Sequence, residues 1–509
     1  MSKEFVIYAT IAIYTIFMVV VGILNAKKVK SVSTFTVGNR TASGWATALS
    51  YGTSYFSAVM FIGYAGSNGW RLGLWAVIIG VANALLGSWA AWAVLAKRTR
   101  EVSHRLKIKS MPQLLSLRFN SQTMKTFTAV VIFIFLTPYS ASVYKGLTSV
   151  CSVLLGIPDQ VCLVLIALAT AVVVIFGGYI AALKADFVQG IIMFVGALLV
   201  GVFIVRSPQV VSGGGIAGLI DNMKAHAGIL PLSGENLVFL IAMVLLTSVG
   251  AWGLPHMIHK YYGIKNDKEV FRGTVISTVF AMVVAGVGYF IGSFAMQFFT
   301  AMPEGGADYI VPRMFAAANM PSVLIGVFLV LLISASVTTL GGLTLTGSST
   351  VTMDLIMPRS KKLNEKSAKN LTRVFCFIFI VMSYVIANTQ TPILDMMSYS
   401  WGILSGSFLA PYLLSLYSKK INIFGAWAGI FTGFAVAFLP LAAKIITYFT
   451  IHTAAVKNVF INVSKQGPQY AVGAMIASLI VCYLVSRFTV EKDHDKKIRL
   501  FYTGTVAEE

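Results

Sequence analysis

Apolar stretches long enough to cross a lipid bilayer recur from one end of this 509-residue chain to the other. A transmembrane helix needs about 20 predominantly apolar residues, and repeated stretches of that length are typical of polytopic membrane proteins. The composition agrees, because 57% of the residues are hydrophobic and only 11% are charged. The sequence therefore predicts an all-α polytopic membrane protein and excludes a soluble globular protein.

Hydropathy predicts thirteen transmembrane helices in a single transmembrane domain, 1–509. The predicted spans cover residues 5–25, 44–66, 72–96, 126–154, 160–183, 186–205, 236–252, 273–301, 321–353, 374–389, 393–416, 423–449 and 470–486. Lys27 and Lys28 follow the first apolar stretch instead of preceding it, unlike the charges of a cleaved signal peptide. We therefore expect the first span to be retained as a peripheral helix.

The basic residues indicate how the chain is oriented in the membrane. The formal net charge is +21, and one of the two alternating sets of loops carries 30 of the 39 Lys and Arg residues. By the positive-inside rule this set is cytoplasmic, which places the N-terminus outside and the tail 488–509 in the cytoplasm. We expect an inner (plasma) membrane protein of a bacterium. Its expected partners are the lipid bilayer and a small-molecule substrate, with no nucleic acid and no required oligomer.

Two of the predicted spans have the features of interrupted helices. The second contains Gly52, Gly63 and Gly66 among hydroxyl residues, and the seventh ends in "TSVGAWGLPH" at 247–256. Each opens a block of five spans, 44–205 and 236–416, and an odd number of spans inverts the second block relative to the first. A five-plus-five inverted-repeat (LeuT-like) core with broken helices indicates a secondary transporter with its site at mid-membrane. One helix, 5–25, precedes this core, and two, within 423–487, follow it.

The span 321–353 becomes rich in hydroxyl side chains along its C-terminal half. Ten of the nineteen residues from Ser334 to Thr352 are Ser or Thr, and Thr338 and Thr339 are adjacent. An alkali cation needs about five or six hard oxygens, which a hydroxyl pair and unwound backbone carbonyls can supply. The alternative is that these hydroxyls bond to carbonyls four residues earlier or allow close helix packing. Composition alone leaves both explanations open for the pair.

Four segments make the chain similar to the sodium:solute symporter family over nearly its whole length. They are "SMPQLLSLRFNS" (110–121), "FGGYIAALKADFVQ" (176–189), "GLPH" (253–256) and "SVTTL" followed by "SSTVTMDL" (336–355). The resemblance implies sodium-coupled symport of a small polar organic solute by alternating access, with Na⁺ as coupling ion and no organic cofactor. It also implies a sodium site made of the backbone carbonyls of Thr53, Phe56 and Ala335 and the hydroxyls of Thr338 and Thr339.

Two carboxylates of the predicted spans are functional candidates, because an unpaired acid in a membrane is costly. The resemblance implies that Asp186 attracts or relays the ion during release, and a solvated helix cap beside Lys184 is the alternative. Some relatives use this acid and a nearby serine for a second sodium site. The serine position is Ala335 here, so we expect one sodium ion per substrate. Asp395 is either a gate or substrate contact or an acid at a helix start.

The resemblance also implies a substrate pocket lined by four helices, through Ser54, Ser57, Met60, Phe61, Tyr139, Ser140, Tyr144, Thr247, Ala251, Trp252, Ser398 and Trp401. Sugar-transporting relatives carry a Gln or Glu pair where this chain has Val59 and Met60, which disfavours a sugar. Lys145 either contacts a substrate carboxylate or extends to the outer surface. We therefore favour a small carboxylate or an amino acid, with a sugar, nucleobase or vitamin as the alternative.

An intramembrane enzyme and a passive channel or uniporter are the two alternatives to a symporter. An intramembrane enzyme needs a nucleophile–base pair or an HExxH metal site at membrane depth, and the six histidines lie mostly in predicted loops. We therefore expect no enzymatic activity. A passive channel or uniporter is the remaining alternative, and accumulation of substrate against its gradient distinguishes it from a symporter.

Overall fold

The computed structural model describes residues 40–226, 228–360, 364–449, 454–491 and 494–503 and several residues between 5 and 20, with backbone only for 172–185. In this part of the chain every regular element is a helix, and the only extended pairing is an isolated bridge between Ala42 and Ile264. The predicted all-α class is thereby confirmed. The predicted first helix, 5–25, lies mostly outside the described residues.

The described helices are mostly regular α-helices with short π-helical and 3₁₀ insertions. The α-helices are Gly44–Tyr55, Ala65–Leu72, Ala76–Ala82, Lys97–Arg105, Met111–Phe119, Gln122–Leu155, Asp159–Val205, Pro208–Ser212, Gly215–Ala225, Gly234–Ser248, Pro255–Tyr261, Asp267–Ser293, Ala295–Phe298, Ile310–Ala317, Ser322–Thr350, Glu365–Ala387, Ile393–Tyr417, Ile423–Phe449, Ala454–Lys465, Gly467–Phe488 and His494–Thr503. The π-helices are Val59–Tyr64, Asn83–Ala90, Trp92–Ala96 and Val351–Ile356, and the 3₁₀ helices are Gly73–Trp75, Gly250–Gly253, Ala307–Tyr309 and Met357–Arg359.

Nine helical segments of the described chain are long and apolar enough to cross a bilayer. These segments bear out the predicted polytopic class, and the number of thirteen spans stays a prediction. One difference arises because the predicted spans 160–183 and 186–205 lie on one continuous helix, Asp159–Val205. The backbone stays helical through Lys184, where a turn was expected, since one charged residue does not by itself end a helix.

The first broken helix consists of Gly44–Tyr55, an unwound segment at residues 56–57, and a second half that runs through Val59–Tyr64 and Ala65–Leu72. The break lies where we expected an interruption, but glycine does not cause it. A Cβ added to Gly63 would lie 2.3 Å from Ile393 Cγ2, so this glycine permits a close helix contact. The glycines of this helix therefore serve packing, and the break occurs at a Phe-Ser pair.

The second broken helix runs from Gly234–Ser248 through the 3₁₀ turn Gly250–Gly253 and an extended Leu254 into Pro255–Tyr261. The predicted span ends at residue 252, and the next begins at 273, so a loop was expected between them, which is wrong for Pro255–Tyr261. This half-helix is buried, and its proline occupies the first turn, where a missing backbone N–H costs little. Two histidines and a lysine lowered its hydropathy and concealed it.

Two of the segments quoted for the family resemblance contact each other on the predicted cytoplasmic side. Ser110 caps the helix Met111–Phe119, and its Oγ donates to Asp354 Oδ2 over 2.7 Å. Gln113 Nε2 donates to Asp354 Oδ1 over 2.9 Å, and Lys125 Nζ lies 3.8 Å from the same oxygen. The "SMPQ" and "TMD" segments therefore form one polar clamp, in which the buried acid has partners for both oxygens.

The helices Ile393–Tyr417 and Ile423–Phe449 approach each other closely at two glycines. A Cβ on Gly433 would lie 1.8 Å from the carbonyl oxygen of Gly406, so Gly433→Val must separate the two backbones. Overpacking of this kind costs about 1–3 kcal/mol or more. We expect Gly433→Val to lower the thermal unfolding temperature of the detergent-purified protein. Gly473→Val is the matched control, since a Cβ there meets nothing within 4 Å, and equal unfolding temperatures for the two variants would contradict the prediction.

Candidate ion and substrate site

Thr339 of the hydroxyl-rich helix, Ser322–Thr350, faces the end of the first half of the first broken helix. Its Oγ1 lies 2.9 Å from the carbonyl oxygen of Ala335, 3.1 Å from that of Thr53 and 3.4 Å from that of Ser54. The last four carbonyls of a helix lack intrahelical partners and lie at the negative end of its dipole. Two such helix-end carbonyl oxygens, those of Thr53 and Ser54, therefore converge on a buried point with the Ala335 carbonyl oxygen and the Thr339 hydroxyl.

Thr338 and Phe56 complete the set that the resemblance implies for sodium. The Thr338 hydroxyl donates its hydrogen to Gln189 Oε1, which leaves the hydroxyl lone pairs available to a cation. Phe56 lies at the break itself, with φ −112° and ψ 81°, and its N–H makes the last bond of this half-helix, to the Gly52 carbonyl over 2.9 Å. The structure thus brings Thr53, Ala335 and Thr339 into direct contact. Neutral hydroxyl and carbonyl oxygens are ligands suited to a hard cation, so these residues fit a sodium ion.

Asp186 is buried in the protein interior, and the alternative of a solvated helix cap is wrong. Its side chain is 1% exposed, and its Oδ2 accepts a hydrogen bond from Ser50 Oγ. Lys260 Nζ lies 3.6 Å from the same carboxylate oxygen and 2.7 Å from Ser50 Oγ. The sequence analysis missed Lys260 because it placed this residue in a loop. The available signal was its position just beyond the Gly-Pro interruption of the second broken helix.

A small cavity lies beside the break in the first broken helix. It has a volume of about 10 Å³, which is room for about one water molecule. Its walls come from six helices and are formed by Tyr55, Phe56, Ser57, Val59, Met60, Tyr64, Asn83, Tyr139, Thr247, Tyr289, Met397 and Trp401. The predicted pocket residues among them are Ser57, Met60, Tyr139, Thr247 and Trp401.

The other predicted pocket residues do not line this cavity; they are Ser54, Phe61, Ser140, Tyr144, Ala251, Trp252 and Ser398. Trp252 Nε1 donates to the Leu86 carbonyl over 2.9 Å, and Ser398 Oγ donates to the Leu394 carbonyl over 2.7 Å. Asp395 is also absent from the walls and lies in the first turn of its helix, the position of a helix-start acid. All four predicted helices contribute to the cavity wall, but the sequence could not give their rotation about their axes.

The cavity offers hydrogen-bonding groups that the protein itself leaves unused. Within the described part of the chain, Trp401 Nε1 and the Tyr64 hydroxyl are buried and have no hydrogen-bond partner. Buried polar groups are nearly always paired, so each exception requires an explanation. No residue of the described cavity wall is charged. The wall residues therefore include neutral donors and aromatic rings, groups that bind acceptor oxygens and apolar surface respectively.

Asn83 is a wall residue that the sequence analysis missed. Its Oδ1 accepts hydrogen bonds from Thr247 Oγ1 over 2.8 Å and from Ser248 Oγ over 3.0 Å, which joins its helix to the second broken helix. The residue opens the π-helix Asn83–Ala90, and π-helical turns within helices are frequent at functional sites. A single amide inside the apolar span 72–96 was the signal that could have identified it.

Lys145 has a partner that the sequence analysis did not consider. Its Nζ donates to the Thr391 carbonyl over 2.7 Å and lies 3.7 Å from Asp308 Oδ2, and the Asp308 oxygens accept the backbone N–H of Ile393 over 3.2–3.3 Å. Burial raises the pKa of Asp308 above its usual value, and the Lys145 ammonium opposes that shift. Both alternatives for Lys145, a substrate contact and an extension to the surface, are replaced by an ion pair in which the acid is buried and the lysine is partly buried. The pair fastens the cap segment, residues 307–317, to two helices.

A larger cavity, of about 330 Å³, lies away from all of these residues. It is bounded by the end of the helix Gln122–Leu155, by the cap segment near Phe315, and by Ile7 and Tyr8. Its described walls contain no predicted site residue and no charged side chain. Size alone therefore does not identify the site, because the unpaired donors belong to the wall of the smaller cavity, which also includes Phe56 of the implied sodium set.

Comparison with known proteins gives one consistent result. A sequence model of the sodium:solute symporter family matches residues 35–433. The osmoregulated proline transporter OpuE of Bacillus subtilis is 27% identical over 96% of both chains, and the sodium/pantothenate symporter of Escherichia coli is 24% identical over 86% of this chain and 90% of that one. A solved Na⁺-coupled sialic acid symporter in a substrate-bound outward-open state shares the fold, with a TM-score of 0.74 at 17% identity over 95% of this chain and 98% of that one. The chain belongs to the sodium:solute symporter family.

Proposed function

We propose that this protein is a sodium-coupled secondary active symporter that imports a small polar organic solute by alternating access. The observation that carries the proposal is the convergence of Thr339 Oγ1 with the carbonyl oxygens of Thr53 and Ala335. The proposed sodium ligands are these three residues together with the Phe56 carbonyl and the Thr338 hydroxyl. The relatives named as sodium-coupled symporters support the same function, and the family supports a transporter, not an enzyme.

The proposed mechanism follows from which elements hold the ligands. Thr53 and Phe56 belong to the first broken helix, whereas Ala335, Thr338 and Thr339 belong to the hydroxyl-rich helix, so the site holds two elements together. A sodium ion would supply the charge that stabilises this contact, and one charge falling through 100 mV contributes about 2.3 kcal/mol, or roughly fiftyfold accumulation. The contact favours the outward-open state, and substrate then closes the outer side. Asp186, three residues before Gln189, is proposed to attract the ion on its way inward.

The walls of the small cavity support an amino acid or another small carboxylate as substrate. Trp401 Nε1 and the Tyr64 hydroxyl belong to residues of the wall, are buried donors without a partner in the described part of the chain and would donate to carboxylate oxygens, and hydrogen bonds to a charged group are worth about 1.5–3 kcal/mol. The rings of Tyr55, Phe56 and Tyr139 provide apolar surface for the remainder of the molecule. Relatives named as proline transporters agree with this class of solute. The preference no longer depends on Lys145, which is paired with Asp308.

Transport assays in proteoliposomes test the proposed function directly. The substrate is first identified by a thermal-shift screen of amino acids, carboxylates, sugars and nucleobases, with and without sodium. Vesicles with an inward sodium gradient should then accumulate that substrate above its external concentration. Equilibration without accumulation would indicate a passive channel or uniporter, and accumulation that is indifferent to sodium would overturn sodium coupling.

The Lys145–Asp308 pair is expected to hold the cap segment in place and so to limit access to the small cavity from outside. Lys145→Gln and Asp308→Asn should each release the cap segment, because either change leaves the remaining charge buried without its partner. We expect several-fold faster labelling of a Ser57→Cys reporter by a membrane-impermeant thiol reagent, and no further gain in the double variant. The native cysteines are buried and give a low background.

The matched control for this pair is Lys224→Gln, which removes an ion pair with Asp221 whose side chains are 61% and 71% exposed. Exposed pairs of this kind contribute little, so labelling of the reporter should not change. If Lys145→Gln weakens substrate affinity while Asp308→Asn leaves it unaltered, Lys145 contacts the substrate. The interpretation that the pair fastens the cap segment is then wrong.

A further inference from the structure

The Lys260 ammonium is enclosed by protein and held by two oxygen atoms. Its side chain is 7% exposed, with Nζ 2.7 Å from Ser50 Oγ and 3.6 Å from Asp186 Oδ2. Ser50 Oγ in turn donates to the same Asp186 oxygen, so the three groups form one compact cluster. Three separate elements supply them: the first broken helix, the helix Asp159–Val205 and the second broken helix.

This cluster adjoins the proposed sodium site through two of the same helices. Ser50 precedes Thr53 by three residues on the first broken helix, and side chains three residues apart lie on one helix face. Asp186 likewise precedes Gln189, whose Oε1 accepts the Thr338 hydroxyl. The Oδ1 atom of Asp186 accepts no hydrogen bond from any described residue. A buried carboxylate with an open oxygen therefore lies about one helical turn from the proposed ion ligands.

The charge of the cluster decides what can bind there. Asp186 contributes one negative charge and Lys260 one positive charge, so the buried pair is neutral as it stands. A sodium ion at Asp186 would place two cations against one carboxylate in a poorly solvated interior, where like charges disfavour each other strongly. The ammonium is a compact point charge on a flexible stem and occupies the place that a free cation would take beside this acid.

We propose that Lys260 is a tethered cation that fills the cation position at Asp186 and thereby limits the transporter to one bound sodium ion. The inference rests on the proposed function, because the remaining ion is the one held at Thr339. It assigns to Lys260 the role of an ion-stoichiometry determinant. It also narrows the role of Asp186, whose carboxylate neutralises Lys260 and is not a ligand of a second sodium ion.

The number of sodium ions bound by the purified full-length protein tests this inference. Equilibrium binding of radioactive ²²Na⁺ at saturation should give one ion per wild-type chain and two per Lys260→Gln chain, because the variant leaves the carboxylate without its cation. Lys260→Arg keeps the charge and should stay at one. The double variant Asp186→Asn/Lys260→Gln removes both charges and should also stay at one. The Hill coefficient of sodium-dependent uptake should rise from about one towards two only in Lys260→Gln.

The outcomes separate this inference from the proposed function. One ion in both wild type and folded Lys260→Gln overturns the tethered-cation role and leaves sodium coupling intact, and two ions in the wild type overturn that role whatever the variants do. If the wild type binds no sodium ion, the proposed function is overturned. One bound sodium ion in Lys260→Gln would still support the role of Lys260.

If Lys260→Gln folds only in the presence of sodium, its sodium-induced shift in unfolding temperature should exceed that of the wild type, and Lys260→Met should behave in the same way. If both variants fail to fold at any sodium concentration while the double variant folds, Lys260 is a structural counter-charge and the inference is wrong.

Discussion

Thr339→Ala is expected to remove sodium stimulation of uptake, or to raise the sodium concentration for half-maximal uptake by roughly 10–100-fold. The Thr339 hydroxyl belongs to the hydroxyl-rich helix and contacts the carbonyl oxygens of Thr53 and Ser54 on the first broken helix. Its removal deletes one of about five proposed ligands and leaves the helix-end carbonyls without a hydroxyl partner. Substrate affinity measured at saturating sodium should change far less. The readouts are sodium titrations of uptake and the sodium-induced shift in unfolding temperature.

Two further substitutions make this test specific. Thr339→Ser keeps the oxygen and loses only a methyl group, so it should retain most of the sodium response. Thr350→Ala removes a hydroxyl of the same helix that is equally buried and donates to the Thr346 carbonyl over 2.7 Å. It has no part in the proposed site and should behave like the wild type. If Thr339→Ala responds to sodium as the wild type does, the coupling ion is held elsewhere in the protein and the proposed sodium site is wrong.

Features carried by local sequence patterns could be predicted from the sequence. The hydroxyl pair Thr338–Thr339 and the interruption of the first broken helix each have a local signature in the sequence. The family resemblance implied that the two belong to one site. The interruption of the second broken helix at "GAWGLP" was equally predictable, since Gly and Pro end regular helices. The all-helical class follows from apolar length alone, because a chain in lipid must satisfy its backbone hydrogen bonds internally.

Features that depend on long-range pairing could not be predicted. Lys145 and Asp308 are far apart in the sequence, and Asp308 has no hydropathy signal that marks it as buried. Lys260 follows a proline and two histidines, so its segment resembled a loop until the helix Pro255–Tyr261 placed it against Asp186. In each case the partner that stabilises a buried charge is supplied by the tertiary fold, and the sequence records only one half of the pair at a time.

Helix rotation was the other missing quantity, and two tryptophans show its consequence. The sequence analysis assigned both Trp252 and Trp401 to the substrate pocket. The structure places Trp401 on the cavity wall, stacked against Tyr55 with ring centroids 6.2 Å apart, and leaves its Nε1 unpaired among the described residues. It turns Trp252 away, with its Nε1 on the Leu86 carbonyl. Hydropathy locates a helix, but it does not tell which face points towards the cavity when all faces are apolar. Successive residues lie about 100° apart around the helix axis, so neighbouring side chains can point in very different directions.

Trp401→Phe and Trp252→Phe are therefore expected to differ strongly in their effect on substrate binding. Both keep an aromatic ring and lose only the indole N–H and part of the ring area. For Trp401 the lost donor serves a substrate carboxylate in our proposal, and a hydrogen bond to a charged group is worth about 1.5–3 kcal/mol, or roughly 10–150-fold in substrate affinity. Trp252→Phe should change substrate affinity less than about threefold, because its N–H binds a backbone carbonyl outside the cavity.

The measurement for these two variants is substrate affinity by equilibrium binding at saturating sodium, with sodium affinity determined alongside. Sodium affinity should be close to wild type in both, since neither indole belongs to the proposed ion site. A carboxylate-free analogue of the substrate should bind wild type and Trp401→Phe equally, because it has no charged oxygen for the N–H to contact. If Trp401→Phe binds the substrate as tightly as the wild type does while Trp252→Phe does not, the helix rotations assigned here are wrong and the pocket lies on the opposite face of the second broken helix.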